Sequence, residues 1–271
     1  MSDWYGIFFD RAISKVGRII KLLRYKTDAI LHPKQTRLYC PCCGMRFRSF
    51  TTWDYEAVSD KLDVTRYLNI KQDVLCPYCG SLPRHRILAC WGENHQDLFH
   101  AGDVLYFSLE RGMRLWMKRH RIYFSSADLV RHADYNIDIQ NTGLPDESYD
   151  MIICNHVLEH VDDLQKALKE VIRILRTGGS FICSFPIDTK VELLDEDPEV
   201  LTPVERIRRY GQYNHRRLFG VNAATVLVGA GFEVETIMGE TFPENILPVI
   251  GPANYDINWL FHCVKVGKET K

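Results

Sequence analysis

The chain has 271 residues, 46% of them hydrophobic, and 34 Lys and Arg against 35 Asp and Glu give a formal charge of −1. That length accommodates one large domain plus a small module, and the charge balance removes any global electrostatic argument for nucleic-acid binding. Nine cysteines, an odd number, lie partly in apolar runs (Cys154, Cys183, Cys263), which suits a reducing cytoplasm better than a secreted disulfide framework.

In chain order, residues 1–35 form an N-terminal segment with a basic amphipathic helix over 4–26, which places Phe8, Ala12, Val16, Ile19, Ile20 and Leu23 on one side. Asp10, Arg11, Lys15, Arg18, Lys21 and Arg24 interrupt the apolar residues, so neither a signal peptide nor a membrane span is expected. Such a helix packs on its own domain, lies on the anionic inner face of a membrane, or docks on a protein partner. Pro33 and the polar residues 34–36 then mark a boundary.

Residues 36–96 read as a zinc-ribbon module. Cys40-Pro41-Cys42-Cys43-Gly44 and Cys76-Pro77-Tyr78-Cys79-Gly80 are two like turns, each letting two thiolates converge while glycine relieves the tight backbone. Together Cys40, Cys43, Cys76 and Cys79 offer four sulfurs to one tetrahedral zinc, and four ligands leave no open position, so the metal is structural. The spacing favours Cys43 over Cys42. The long segment between the turns is an insertion that carries Phe47, Phe50, Trp53 and Tyr55.

Residues 97–271 alternate strand and helix. A first strand over 103–108 leads through Ser108-Leu109-Glu110-Arg111-Gly112 into a helix that includes 114–119, and a second strand ends at Asp128. A short third strand precedes Asp138. The apolar run 151–154 is a buried parallel strand that ends in Asn155-His156-Val157-Leu158-Glu159-His160. Leu164, Ala167, Leu168, Val171, Ile172 and Leu175 recur at helical spacing, with Asp162 or Asp163 as cap and Gly178-Gly179 as the stop before a strand over 181–185. The acidic stretch 188–202 reads as a mobile lid. The polar run 210–217 follows, then a helix over 221–230, a strand over 231–237, a Pro- and Asn-rich loop over 240–256 and a last strand over 259–266.

The order of Leu144-Pro145 with Tyr149-Asp150, Leu158-Glu159-His160 and Leu175-Arg176-Thr177-Gly178-Gly179 resembles the class I S-adenosylmethionine-dependent methyltransferases over roughly residues 97–267. More narrowly, the Cys-Pro-x-Cys-Gly turns, Cys79-Gly80-Ser81-Leu82-Pro83-Arg84-His85-Arg86 and Gly211-Gln212-Tyr213-Asn214-His215-Arg216-Arg217 are similar to a bacterial subgroup with a four-cysteine zinc ribbon. The resemblance implies an α/β, Rossmann-like, mostly parallel sheet with an antiparallel last strand, and S-adenosyl-L-methionine as cofactor. It implies cofactor contacts from Ser108 and Glu110 in the first turn, from Asp138 near the adenine amino group, from Ile139 against the ring and from Asn155. Asp128 stands about 20 residues after the first turn, where an acid accepts from ribose hydroxyls. The first turn departs from the family's glycine-rich pattern.

Methyl transfer from a sulfonium is a direct displacement that needs an aligned acceptor and, for a hydroxyl, a base. His215 is the first candidate base and His156 the second; Arg84, His85, Arg216 and Arg217 are candidate acceptor contacts. Glu159-His160 reads as loop architecture. The expected activity is O-methylation of a small-molecule or glycan acceptor. Two rivals are an RNA methyltransferase whose ribbon holds nucleic acid through Arg37, Arg46, Arg48, Lys61, Arg66 and Lys71, and a non-catalytic scaffold that has kept the fold.

Overall fold

A computed structural model describes residues 15–52, 61, 74–246, 255–256 and 259–267. The elements run α1 (Lys15–Leu31), β1 (Leu38–Cys40), β2 (Met45–Phe47), α2 (Pro83–Glu93), α3 (Gln96–His100), β3 (Val104–Phe107), α4 (Arg111–Arg119), β4 (Ser125–Ala127), β5 (Tyr149–Asn155), α5 (Leu164–Ile174) and β6 (Leu175–Ser184). They continue through β7 (Ile187–Asp188), β8 (Asp195–Glu196), α6 (Pro203–Tyr210), β9 (Arg217–Leu218), α7 (Ala224–Ala230), β10 (Phe232–Ile237), β11 (Tyr255–Asp256) and β12 (Leu260–Lys265).

The central sheet has the order β10-β12-β6-β5-β3-β4. Strands β4, β3, β5 and β6 are mutually parallel, and β12, the last in sequence, inserts antiparallel between β6 and β10. Parallel strands are covered on both faces, and alternation assigns their residues. Leu105, Phe107, Ile152, Cys154, Phe181 and Cys183 pack with α5 and α7 on one side. Val104, Tyr106, Met151, Ile153 and Ile182 pack on the other with α2, α4 and Cys40, Cys42, Cys76 and Cys79. The cysteine module and the sheet therefore share one apolar core.

Helix α5 begins at Asp163, whose carboxylate accepts from the Lys166 N–H at 2.9 Å. Its end differs from the sequence expectation. Leu175 already has extended dihedrals and opens β6, so Gly178 and Gly179 lie inside the strand rather than at a helix stop. Gly178 has φ +78, and a Cβ on Gly179 would stand 2.8 Å from the Asp150 carbonyl, at the irregularity where β5 and β6 slip register between Tyr149 and Met151. The glycines allow two strands to approach. The expected third strand is reduced among the described residues to isolated bridges, Ala127 with Tyr135 and Asp138 with Asn141.

The stretch expected to be a lid is held in place. β8 pairs with β9, Arg209 binds Asp195 and Asp197, and the Asp197 N–H donates to the Tyr210 hydroxyl at 2.9 Å. Helix α1 packs through Leu22 and Tyr25, with the Tyr25 ring edge-on to Phe47 at 5.0 Å and Asp28 paired with Arg48. Its Ile19, Ile20 and Leu23 face outward, the reverse of burial on that side. No helix among the described residues is long and apolar enough to cross a membrane. Phe8, Ala12, Trp53, Tyr55, Arg66 and Lys71 lie outside the described residues.

Candidate active site

The carboxyl ends of β3, β4 and β5 are adjacent, because Phe107 pairs with Ala127 on one side and Cys154 on the other. Ser108 leaves β3 with φ 58, a left-handed conformation usual for glycine and uncommon for serine. The glycine that the turn does contain serves packing instead: a Cβ on Gly112 would meet the Ser81 side chain at 3.0 Å. Glu110 is likewise turned inward. Its carboxylate accepts from the Tyr106 hydroxyl at 3.0 Å and from His85 Nε2 at 2.9 Å, while His85 Nδ1 accepts from the Leu82 N–H at 3.0 Å. Burial keeps His85 below its ordinary pKa, and its one donor, Nε2–H, is matched to the Glu110 carboxylate. Glu110 and His85 thus join the cysteine module to β3.

Asp128 caps the loop after β4, Oδ1 accepting from the N–H groups of Val130 (2.9 Å) and Arg131 (2.8 Å). Oδ2 pairs with Arg131 at 3.1 Å, and Arg131 also donates to Ser108 Oγ at 2.6 Å. Arg131, which sequence reasoning missed, so bridges two expected cofactor contacts; its signal was the i, i+3 spacing from Asp128. Asp138 accepts from the Gln140 N–H at 2.8 Å. Ile139 is buried in the core at 4% exposure. Asn155 is buried at the end of β5, where its Oδ1 accepts from the Ser184 hydroxyl and its Nδ2 has no partner.

Beyond Asn155 the chain turns through His156, again left-handed at φ 56. His156 Nδ1 lies 3.0 Å from Glu159 Oε1, and its Nε2 is buried without a hydrogen bond. Burial, then the charge of Arg84, pushes His156 down to about 4. Glu159 is 1% exposed. Burial acts to raise its pKa, and the histidines around it, His156 first, outweigh that and keep it ionised. His215 reaches the same carboxylate from the segment after α6; burial, then His160, pushes it down to about 3. Both candidate bases are therefore uncharged near neutrality.

The four expected acceptor contacts separate. The charge of Arg84 acts on His156 and on Glu110, lowering both pKa values. His85 is occupied by Glu110, and Arg216 pairs with Asp162. Arg217 is fully buried and donates to the carbonyls of Leu158 (2.6 Å), Val161 (2.7 Å) and Asp162 (3.2 Å) and to Glu196 (2.6 Å). It is a clamp on the turn that carries Glu159, not an arginine turned to a ligand. Arg86, also fully buried, similarly ties Val74, Ser81 and Ile246 together.

In the cysteine module, Gly44 and Gly80 have φ 71 and 72 and donate back to the carbonyls of Cys40 (2.7 Å) and Cys76 (2.8 Å), so the two turns share one geometry. The sulfurs of Cys40, Cys43, Cys76 and Cys79 converge within 4.8 Å of one another. Cys42 points elsewhere, with its sulfur 3.4 Å from the His85 carbonyl.

Residues 89–183, which contain β3, β4, β5 and most of β6, match the family model described as a methyltransferase domain. That stretch is similar to methyltransferase domains. A Mycolicibacterium smegmatis protein named "Probable S-adenosylmethionine-dependent methyltransferase" is 32% identical over 110 residues, 41% of this chain and 37% of that protein. The uncharacterized methyltransferase YcgJ of Bacillus subtilis is 36% identical over 52 residues, 19% of this chain and 21% of its own. The chain thus spans well under half the length of these relatives. A solved S-adenosylmethionine-dependent methyltransferase from Archaeoglobus fulgidus aligns over 69% of this chain and 95% of its own with a TM-score of 0.46 and 16% identity.

Proposed function

We propose that this methyltransferase domain transfers a methyl group from S-adenosyl-L-methionine to an oxygen of a small-molecule or glycan acceptor. The observation that carries the reading is the coincidence of the matched segment with the strand ends where Ser108, Asp128 and Asn155 gather, the position at which open α/β sheets bind ligands. The residues fit a nucleoside cofactor: among the described residues Asn155 Nδ2 is a buried donor without a partner, and Asp128 Oδ2 faces the Arg131 side chain. Asp128 would accept from the ribose, Asn155 would donate to the cofactor, and Asp138 stands toward the adenine end. Ser108 supplies its hydroxyl and a turn already in the left-handed conformation. Bound S-adenosylmethionine would supply an electrophilic methyl group.

His156 fits the acceptor's proton better than His215. With Nδ1–H directed at Glu159, the buried Nε2 is a lone pair beside Asn155, an imidazole oriented by a carboxylate. His215 has its Nδ1 at the Tyr210 carbonyl (3.1 Å) and its pKa pushed further down. A small acceptor is favoured over RNA because described basic residues of the module are engaged: Arg48 with Asp28, Arg46 over the Tyr39 ring, Arg37 with the Lys34 carbonyl.

The four-cysteine cluster is read as structural zinc. Zinc–sulfur bonds of about 2.3 Å in a tetrahedron separate sulfurs by about 3.8 Å, and Cys40–Cys79 and Cys43–Cys76 stand 3.6 and 3.7 Å apart. Titration calorimetry with S-adenosylhomocysteine tests the enzyme reading. Saturable binding is expected, and no detectable heat would assign the chain to the scaffold class. Retention on RNA that is lost at moderate salt, as binding through basic side chains is, would overturn the choice of acceptor.

A further inference from the structure

We infer that Glu159, His160 and His215 form a second metal site, for one divalent transition-metal ion, beside His156 just beyond the end of β5. One ligand atom from each lies within 4.8 Å of the others. The two segments that bring them together are stitched on either side of the cluster: the Arg216 N–H donates to the Glu159 carbonyl at 2.8 Å, and Arg217 holds the carbonyls of Leu158 and Val161.

The hydrogen bonds decide what the cluster presents. His160 Nδ1 lies 3.2 Å from the Asn214 carbonyl and His215 Nδ1 lies 3.1 Å from the Tyr210 carbonyl. A carbonyl only accepts, so both histidines carry their proton on Nδ1 and leave Nε2 as a lone pair. His160 Nε2 stands 3.9 Å from Glu159 Oε1, and the two imidazole rings meet edge to face at 4.9 Å. The buried Glu159 carboxylate faces His156 Nδ1 at 3.0 Å through Oε1, and its Oε2 has no hydrogen-bond partner among the described residues. Two nitrogen lone pairs and a carboxylate with one open oxygen thus converge where uncompensated polar groups are costly. A cation among them resolves all three at once.

The donor set selects the ion. Two imidazoles and one carboxylate suit zinc, manganese, iron, cobalt or nickel in the divalent state rather than calcium or magnesium. Backbone carbonyls on Nδ1 are the outer partners that orient metal-binding histidines, and His156, 3.0 Å from Glu159 Oε1, stands in the same relation to the carboxylate. Ligand atoms around such an ion sit about 3.3 Å apart, so the side chains close slightly on binding. Three protein ligands leave positions for oxygen. Only the use of those positions, to bind and acidify an acceptor hydroxyl, rests on the methyl-transfer reading.

Equilibrium dialysis of the full chain against micromolar Co²⁺, followed by absorption spectroscopy, tests the site. Thiolate-bound cobalt shows intense charge-transfer bands, so the expected result is a further cobalt ion per chain without them. Glu159→Gln and His215→Gln should weaken that ion roughly tenfold or more and leave the thiolate bands intact. Part-exposed His160 offers a third variant, His160→Gln, should either buried change unfold the chain. Cobalt confined to thiolates, or a further ion indifferent to all three substitutions, overturns the proposal. S-adenosylhomocysteine calorimetry on the same samples keeps the readings apart, since an ion bound without cofactor affinity fails only the enzyme reading.

Discussion

At the scale of single residues, several polar groups serve the fold and the site at once, and substitutions can separate the two. Asp128 uses Oδ1 to hold the loop and Oδ2 to face Arg131. Asp128→Asn keeps an oxygen for the loop and removes the charge. Calorimetry should then show S-adenosylhomocysteine binding weakened by about 1.5–3 kcal/mol, the range for hydrogen bonds to charged groups, with thermal stability nearly unchanged. Equal affinity in the variant would place the ribose elsewhere. Arg217 gives the opposite pattern. Four acceptors surround its guanidinium, and Arg217→Met leaves the buried carbonyls without donors, so a loss of about 3 kcal/mol or more is expected in chemical denaturation. Arg217→Lys should rescue little, because one ammonium lacks the planar fork that reaches all four.

Among the elements, those with one buried face were legible and those fixed by a neighbour were not. The helical spacing from Leu164 and the apolar runs around Ile152 and Ile182 reappear as α5, β5 and β6, because burial on one stripe or both faces imposes that pattern. Gly178-Gly179 was read as a helix stop because its role, letting β6 pass close to Asp150, depends on a strand distant in sequence. The site divides in the same way. The placement of Asp128 and Asn155 at strand ends follows from strand order, whereas Arg217 reads as an acceptor clamp until the carbonyls it holds are in view. Glu159 and His160 read as architecture from the sequence, and their nearness to His215 was not legible because that residue lies far along the chain. Of the readings left open for helix α1, packing on the domain through Ile19, Ile20 and Leu23 is the one the structure does not show. The packing side of α1 is Tyr25 and Leu22, so replacing Ile19, Ile20 and Leu23 together by Ser should leave the unfolding midpoint within experimental error. Tyr25→Ala, which removes the ring against Phe47, should cost about 2 kcal/mol.

For the whole molecule, the cysteine cluster is part of the wall that covers one face of the sheet. Cys40, Cys42, Cys76 and Cys79 share a core with Tyr106, Ile153 and Ile182, and His85 links the module to β3 through Glu110. Metal binding at the four thiolates would therefore stabilise the sheet as well as the module, since a site absent from the unfolded chain adds its binding energy to folding. Stripping the protein with a strong chelator should lower the thermal midpoint of the entire domain in one transition and raise binding of a dye that reports apolar surface. Cys43→Ser should reproduce both effects. Cys90→Ser should not, because Cys90 is outside the cluster and partly exposed. Acid should act like the chelator: thiolates must be deprotonated to hold the metal, so falling pH releases it, and the loss of stability should track metal release measured on the same samples. A chelated chain that unfolds at the same temperature as the untreated protein would show that the sheet is covered without the metal, and that the module's contribution is its apolar side chains alone.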